Sequence, residues 1–173
     1  MKHKRGLFLF LVLASWVPPK ASASCIGWDK TLPNYDPKYY SVSHEFRRAK
    51  FVITATAVGE TWLGEDGKEK PLEPPFMNGA SRPWGFDPYL GAYYDIQVHR
   101  AFKGAPPPRL RVFSENTTAR FWLKIGDDYL LFVDEGTFDV IGNQLTVDTC
   151  GNSADIAHAH NALRQVQKLS SAR

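Results

Sequence analysis

The two cysteines, Cys25 and Cys150, are the residues whose chemistry is easiest to interpret. They lie 125 positions apart, and the chain has no third cysteine. One pair in an exported chain predicts a disulfide, and a pair of reactive thiols is the alternative. In the chain-entropy model, closing so long a loop stabilises the folded state by up to about 5 kcal/mol.

The histidines and acids do not form a recognisable catalytic or metal-binding pattern. His158 and His160 lie two positions apart in a predicted helix, so they point to different faces. Acids cluster at Asp127-Asp128 and Asp134-Glu135, where turns and strand ends favour solvated charges. The sequence contains no Gly-x-Ser-x-Gly, phosphate-binding loop or His-Glu-x-x-His. We therefore expect no enzyme activity, no bound metal and no cofactor.

Residues 1–24 have the features of a signal peptide. A basic start precedes an apolar run at 7–14 that is too short to span a bilayer, and small residues follow before Cys25. The mature chain would begin at Ser24 or Cys25 and be secreted or periplasmic. Acylation of Cys25 would anchor it to a membrane, but Ser22 stands where bacterial lipoprotein signals prefer Leu.

Removal of this leader changes the net charge. The leader carries four basic residues and no acid, so the whole-chain charge of +3 becomes about −1. Nucleic-acid binding depends on concentrated positive charge, so we expect no nucleic-acid partner.

Short β-rich segments dominate the remaining single domain, 25–173. The predicted strands are 51–58, 92–102, 110–113 and 129–133, followed by a hairpin with strands 138–141 and 144–147. The near-continuous apolar run at 129–133 is typical of a strand covered on both faces. Residues 121–125 are either irregular or a short strand.

A change to helical periodicity follows Cys150. Ser153 is a suitable N-cap for a helix over 153–170 that carries one apolar stripe. Several short strands followed by one helix predict a mainly β fold, a five- to six-stranded Greek-key OB-fold barrel with the helix packed on it. A β-sandwich is the structural competitor.

The long connection 59–91 is rich in proline, glycine and aromatic residues. Connections of this length are commonly functional in compact domains. Its aromatic residues form either an exposed contact patch or a small core that anchors the loop, and the sequence does not decide between them. The candidate contact residues in this loop are Trp62, Trp84, Phe86 and Tyr89.

Together these segments resemble a known family. The segments are Arg48 to Val58, Tyr94 to Val98, Phe102 to Gly104, Gly126 to Phe132 and Leu145 to Cys150. Their order and spacing are similar to the netrin-like domain of tissue inhibitors of metalloproteinases, and more closely to exported bacterial proteins that share this domain. The resemblance spans nearly all of 25–170 and implies an OB-fold barrel. It also implies binding to a zinc metalloprotease, in which the amine and carbonyl of a first cysteine chelate the zinc.

Two departures from the family pattern bear on that mechanism. Gly27, not cysteine, lies two residues after Cys25, so the chain lacks the family's Cys-x-Cys pair, and 116–121 lacks the family's middle cysteine. By its context Cys150 matches the partner of the second cysteine. The resemblance then implies that Cys25 is this second cysteine and that the chelating first one is missing.

We therefore expect an exported, non-catalytic domain that binds another extracytoplasmic protein. The candidate partner-binding residues are Cys25, Ile26, Trp62, Trp84, Phe86 and Tyr89. A zinc metalloprotease is the hypothetical partner. The alternatives are an envelope or extracellular structural or interaction module without inhibitory activity, and a carbohydrate-binding OB-type module.

Overall fold

The computed structural model describes residues 41–70, 89–117 and 120–172. These residues form a mainly β domain with two helices. In chain order the elements are α1 (Val42–Arg48), β1 (Phe51–Gly64), β2 (Glu69–Lys70), β3 (Tyr89–Lys103), β4 (Arg109–Glu115), β5 (Asp128–Phe138), β6 (Gly142–Val147), β7 (Ala154–Asp155) and α2 (His160–Ser171).

Five of the strands close into a ring. β1 pairs with β3, β3 with β4, β4 with β6, β6 with β5, and β5 pairs back with β1. The short strands β2 and β7 extend β1 and β5. All pairs are antiparallel except β4–β6, which is parallel and has a single paired position, Phe113 opposite Thr146. The link between β4 and β6 is therefore the weakest in the ring.

Alternating apolar side chains fill the ring interior. On β1 and β5 the inward residues include Ile53, Ala55, Leu131 and Val133, and each is fully buried. This alternation is what a pleated strand with one face on a core requires.

The two helices cover the outer side of β1 and β5. Val52 and Leu130 point outward and pack with Phe46 of α1 and Val166 of α2. β5 is therefore covered on both faces, which confirms the interpretation of the apolar run at 129–133.

The mainly β class and the C-terminal helix are confirmed, but several boundaries were wrong, including the predicted strand 138–141, because β5 already ends at Phe138. β1 continues to Gly64 and β3 begins at Tyr89, so the predicted loop 59–91 is shorter at both ends. Its residues 71–88 lie outside the described part of the chain.

The C-terminal helix begins at His160, not at the predicted Ser153. Ser153 is buried, and its hydroxyl accepts a hydrogen bond from the Phe132 backbone N–H at 2.8 Å instead of capping a helix. The next two residues pair with β5 as β7. Residues 121–125 are irregular. Within the described ranges no helix is long and apolar enough to span a bilayer.

Candidate functional site

A bulge in β1 places an acidic side chain inside one end of the ring. The β1–β3 register shifts between Ala57 and Gly59. Because one extra residue reverses the alternation, Glu60 lies on the same inward side as Trp62 and opposite Tyr94. A Cβ at Gly59 would lie 2.9 Å from the side chain of Asp95, so the bulge position favours glycine.

Arg120 lies beside this acid, between two tryptophans. Its guanidinium carbon is 4.2 Å from the ring centroid of Trp62 and 3.7 Å from that of Trp122. The residue is only 6% exposed. Guanidinium groups stack on indole faces, and the attraction grows as water is excluded. The stack therefore fixes the positions of both tryptophans.

The irregular segment before β5 holds the arginine in place. Arg120 Nη1 donates to Asn116 Oδ1 at 3.3 Å, and the backbone N–H of Arg120 donates to the Thr117 carbonyl at 3.2 Å. Asn116 Nδ2 in turn donates to the Tyr89 carbonyl at 3.0 Å. The start of β3, the end of β4 and this segment thus meet at one point.

The electrostatics of the site follow from burial. Desolvation raises the pKa of the Glu60 carboxyl, whereas interactions with Tyr94 and the positive charge of Arg120 oppose that shift. Burial, and then the charge of Glu60, raise the pKa of the Tyr94 hydroxyl to about 12. The positive charge of Arg120 therefore partly offsets the cost of burying the Glu60 carboxylate.

The two tryptophans of the stack differ in exposure. Trp62 is 3% exposed and packs edge-on against Tyr89, with ring centroids 4.9 Å apart. Trp122 is 62% exposed. Ile125 and Val58 are exposed as well, on either side of the hydrogen bond from Gly126 N–H to the Ala57 carbonyl. We call the exposed ring of Trp122, held on Arg120, the Trp122 surface.

The structure locates only some of the predicted contact residues. Trp62 and Tyr89 lie together but are buried, so they support the surface from below. Cys25, Ile26, Trp84 and Phe86 lie outside the described residues, and their role stays a prediction. The Cys25–Cys150 disulfide stays a prediction for the same reason.

The sequence interpretation missed Arg120, Trp122 and Glu60. Trp122 lies in a segment that has no period, and Glu60 reaches the interior only because of the bulge. The available signal was an arginine two residues before a tryptophan, in a segment bounded by two predicted strands.

A row of aromatic rings crosses the outer face of the ring on the side away from the helices. Tyr93, Phe113 and Phe138 follow one another with centroid separations of 5.1 and 4.8 Å. The guanidinium carbon of Arg111 lies 4.6 Å from the Tyr93 ring, and Arg111 also forms ion pairs with Glu69 and Asp95. Beyond Phe138 a cleft of about 170 Å³ opens between β4 and β6.

A third polar group consists of Thr56, His99 and Asp128 on three neighbouring strands. Thr56 Oγ1 lies 2.5 Å from His99 Nε2 and donates to Asp128 Oδ1. Asp128 Oδ1 is also 3.5 Å from the same histidine nitrogen. In a nucleophile–histidine–acid arrangement the acid holds the other ring nitrogen, so this geometry does not match one. The described residues contain no group of three or more His, Cys, Asp or Glu that could hold a metal ion.

Comparison with known proteins adds no family assignment. No protein-family model matches the chain, and no curated protein matches it.

Proposed function

We propose that this chain is an exported, non-catalytic protein-binding domain of netrin-like OB type, and that the Trp122 surface is its main contact. The features of a signal peptide at 1–24 support export, and the geometry around Arg120 and the family resemblance support the protein-binding role.

The strand connectivity supports the OB type. Taking the five ring strands in chain order, their order around the ring is first, second, third, fifth, fourth and back to the first. The third and fifth are parallel and the other neighbours antiparallel. A five-stranded, partly open Greek-key barrel of the OB type has this connectivity.

The observation that carries the proposal is the stacking of an exposed tryptophan on a buried arginine. Trp122 is 62% exposed, yet its ring lies 3.7 Å from the guanidinium carbon of Arg120. Tryptophan and arginine are enriched among residues that dominate binding energy. Because the ring is already held, binding would cost little side-chain entropy.

The family resemblance indicates the first partner to test, a zinc metalloprotease. The test uses two mature chains, one starting at Ser24 and one at Cys25, against a panel of zinc endopeptidases. The protease version predicts inhibition by at least one of the two chains, and it predicts that Trp122→Ala weakens this inhibition at least tenfold, which corresponds to about 1.4 kcal/mol or more. Val140→Ala is the matched control, because Val140 is equally exposed but lies on the β5–β6 turn.

Lack of inhibition by both mature chains would contradict the protease version. The broader proposal then depends on affinity capture of extracytoplasmic proteins. Partners captured by wild type and by Val140→Ala, but not by Trp122→Ala, would support a protein contact at Trp122. Equal capture by all three would contradict it.

The second candidate is an envelope or extracellular interaction module that does not inhibit proteases. The missing first cysteine of the family's Cys-x-Cys pair favours it, because that residue is the one that chelates zinc in the family. Binding that depends on Trp122 but leaves protease activity unchanged would identify this candidate.

A further inference from the structure

The cleft between β4 and β6 exists because the ring is weakly closed there. The two strands are parallel and share one paired position, Phe113 opposite Thr146, after which they diverge. The cleft holds about 170 Å³. This is five to six times the roughly 30 Å³ that one water occupies in the liquid. It is below the range of about 300–1,000 Å³ for drug-sized ligands, so the cleft would take a single small ring.

An aromatic ring forms one wall of the cleft. Phe138 packs edge-on against Phe113, with ring centroids 4.8 Å apart. It also lies over Gly136, since a Cβ at that position would be 3.2 Å from the Phe138 ring and equally close to Thr146. Glycine at 136 therefore lets Phe138 fold across the strand beside the cleft.

Hydroxyl groups and carboxylates form most of the polar lining of the cleft. Its polar lining includes Ser114, Thr117, Thr146, Glu115 and Asp148. The Ser114 hydroxyl donates to the Phe121 carbonyl at 2.9 Å, so its oxygen remains able to accept a hydrogen bond.

The two carboxylates differ in their surroundings. Asp148 is held by the Cys150 backbone N–H at 2.8 Å and by Arg48 at 3.6 Å. Glu115 is exposed and has no ion pair among the described residues. Its carboxylate is therefore free of competing ion pairs among these residues and can accept hydrogen bonds from a ligand.

These properties define the class of ligand. Carboxylates accept strong hydrogen bonds from hydroxyl groups, and an aromatic wall packs against C–H groups. The one cationic residue in the lining is Arg120, and its guanidinium is buried between the two tryptophans, so an anion would meet mainly acids. A ligand with many hydroxyl groups, one apolar face and no negative charge meets all these conditions.

We propose that this cleft binds one residue of a neutral sugar, with Glu115 accepting hydrogen bonds from its hydroxyl groups and Phe138 packing against its C–H face. The cleft shares Arg120 with the stack that holds Trp122, but its proposed ligand contacts are Glu115 and Phe138, so the sugar proposal does not depend on the protein-binding proposal.

The test is saturation-transfer NMR and calorimetry on the full mature chain with D-glucose, D-galactose, D-mannose and N-acetyl-D-glucosamine. For a ligand this small we expect saturation transfer from at least one sugar, with a Kd in the millimolar range. Glu115→Gln should raise that Kd at least fivefold. Glu65→Gln is the matched control, because Glu65 is also exposed but follows β1; it should leave the Kd unchanged.

Two further arms keep the test decisive. Gly136→Ala should also raise the Kd, because the added methyl displaces Phe138 without touching the ligand; thermal unfolding checks that the variant is folded.

Absence of saturation transfer from all four sugars, or equal Kd values for wild type and Glu115→Gln, would overturn the proposal. Calcium chloride binding that Glu115→Gln removes, with no sugar binding, would overturn it in favour of a cation site. Loss of partner binding in Trp122→Ala has no bearing on these outcomes.

Discussion

Arg120 interacts with a buried acid, a buried tyrosine and an exposed tryptophan. A buried charge is costly unless it is paired, and removing one partner leaves the other unpaired. Arg120 offsets the burial of Glu60 and interacts with the Tyr94 hydroxyl, and it holds Trp122 at the surface. The same guanidinium therefore has a role in stability and a role in presenting the contact residue.

The Tyr94 hydroxyl gives this cluster a measurable alkaline signature. Burial raises its pKa from 10.0 to about 12. The folded state therefore keeps a proton that the unfolded chain loses, so this stabilisation is complete below pH 10 and is lost as the pH rises through about 12. The unfolding free energy of the wild type should fall between pH 10 and 12. In Tyr94→Phe this fall should be smaller by about 2 kcal/mol.

Two measurements check this prediction. Denaturant unfolding of wild type and Tyr94→Phe at a series of alkaline pH values gives the difference in free energy. Ultraviolet titration of the folded proteins should lose its highest tyrosine step in the variant, with the remaining tyrosines as an internal reference. An unchanged highest step would show that Tyr94 is not the group that titrates last.

At the scale of elements, the sequence predicted those strands whose pattern of apolar residues matches the surfaces that cover them. The run at 129–133 identified β5 because both faces of that strand are covered, by the ring interior and by the helices. The start of α2 was missed because Ser153 bonds to β5. The inward position of Glu60 was missed because a one-residue bulge depends on pairing with β3. Local patterns thus indicated the elements, whereas tertiary contacts decided where they end and which side chains they present.

The contact between α1 and the turn before β7 can be tested through its buried acid. Glu45 of α1 is 4% exposed, and its carboxylate accepts from both the backbone N–H and the side-chain amide of Asn152 at 2.7 Å. Burial raises the pKa of Glu45 above 4.5, and nearby Asp148 adds to the rise. Its contribution to stability is therefore complete below pH 4.5 and is lost as the pH rises through the folded-state value.

We expect Glu45→Gln and Glu45→Ala to behave differently. Glutamine keeps an acceptor for Asn152 and removes the buried charge, so its stability relative to wild type should increase as the pH rises above 4.5. Alanine removes the carboxylate that accepts two hydrogen bonds from Asn152 and should cost about 1–3 kcal/mol at neutral pH. Chemical denaturation from pH 4 to 8 measures both. A constant difference between Glu45→Gln and wild type would contradict a raised pKa.

For the whole molecule, α1 at the start of the described chain meets the segment around Cys150 on one side of the ring. α1 follows Ser41 directly, and its Glu45 bonds to Asn152, two residues after Cys150. Arg48 of α1 also pairs with Asp148. The predicted disulfide partner Cys25 lies 16 residues before Ser41. That length of chain can easily reach back from α1 to Cys150, since an extended residue spans up to about 3.5 Å.

A disulfide between Cys25 and Cys150 would hold this meeting point together. We expect the mature wild type to show no free thiol by mass spectrometry after thiol blocking, and a reductant to lower its unfolding free energy by about 2–5 kcal/mol. The Cys25→Ser, Cys150→Ser double variant should resemble the reduced wild type and be unaffected by reductant. Because α1 and the 148–152 turn also hold each other through Glu45 and Arg48, the reduced chain should keep its sheet and lose stability without losing the fold. Two blocked thiols in the native mature chain would contradict the disulfide, and would leave Cys25 available as a thiol near the mature N-terminus.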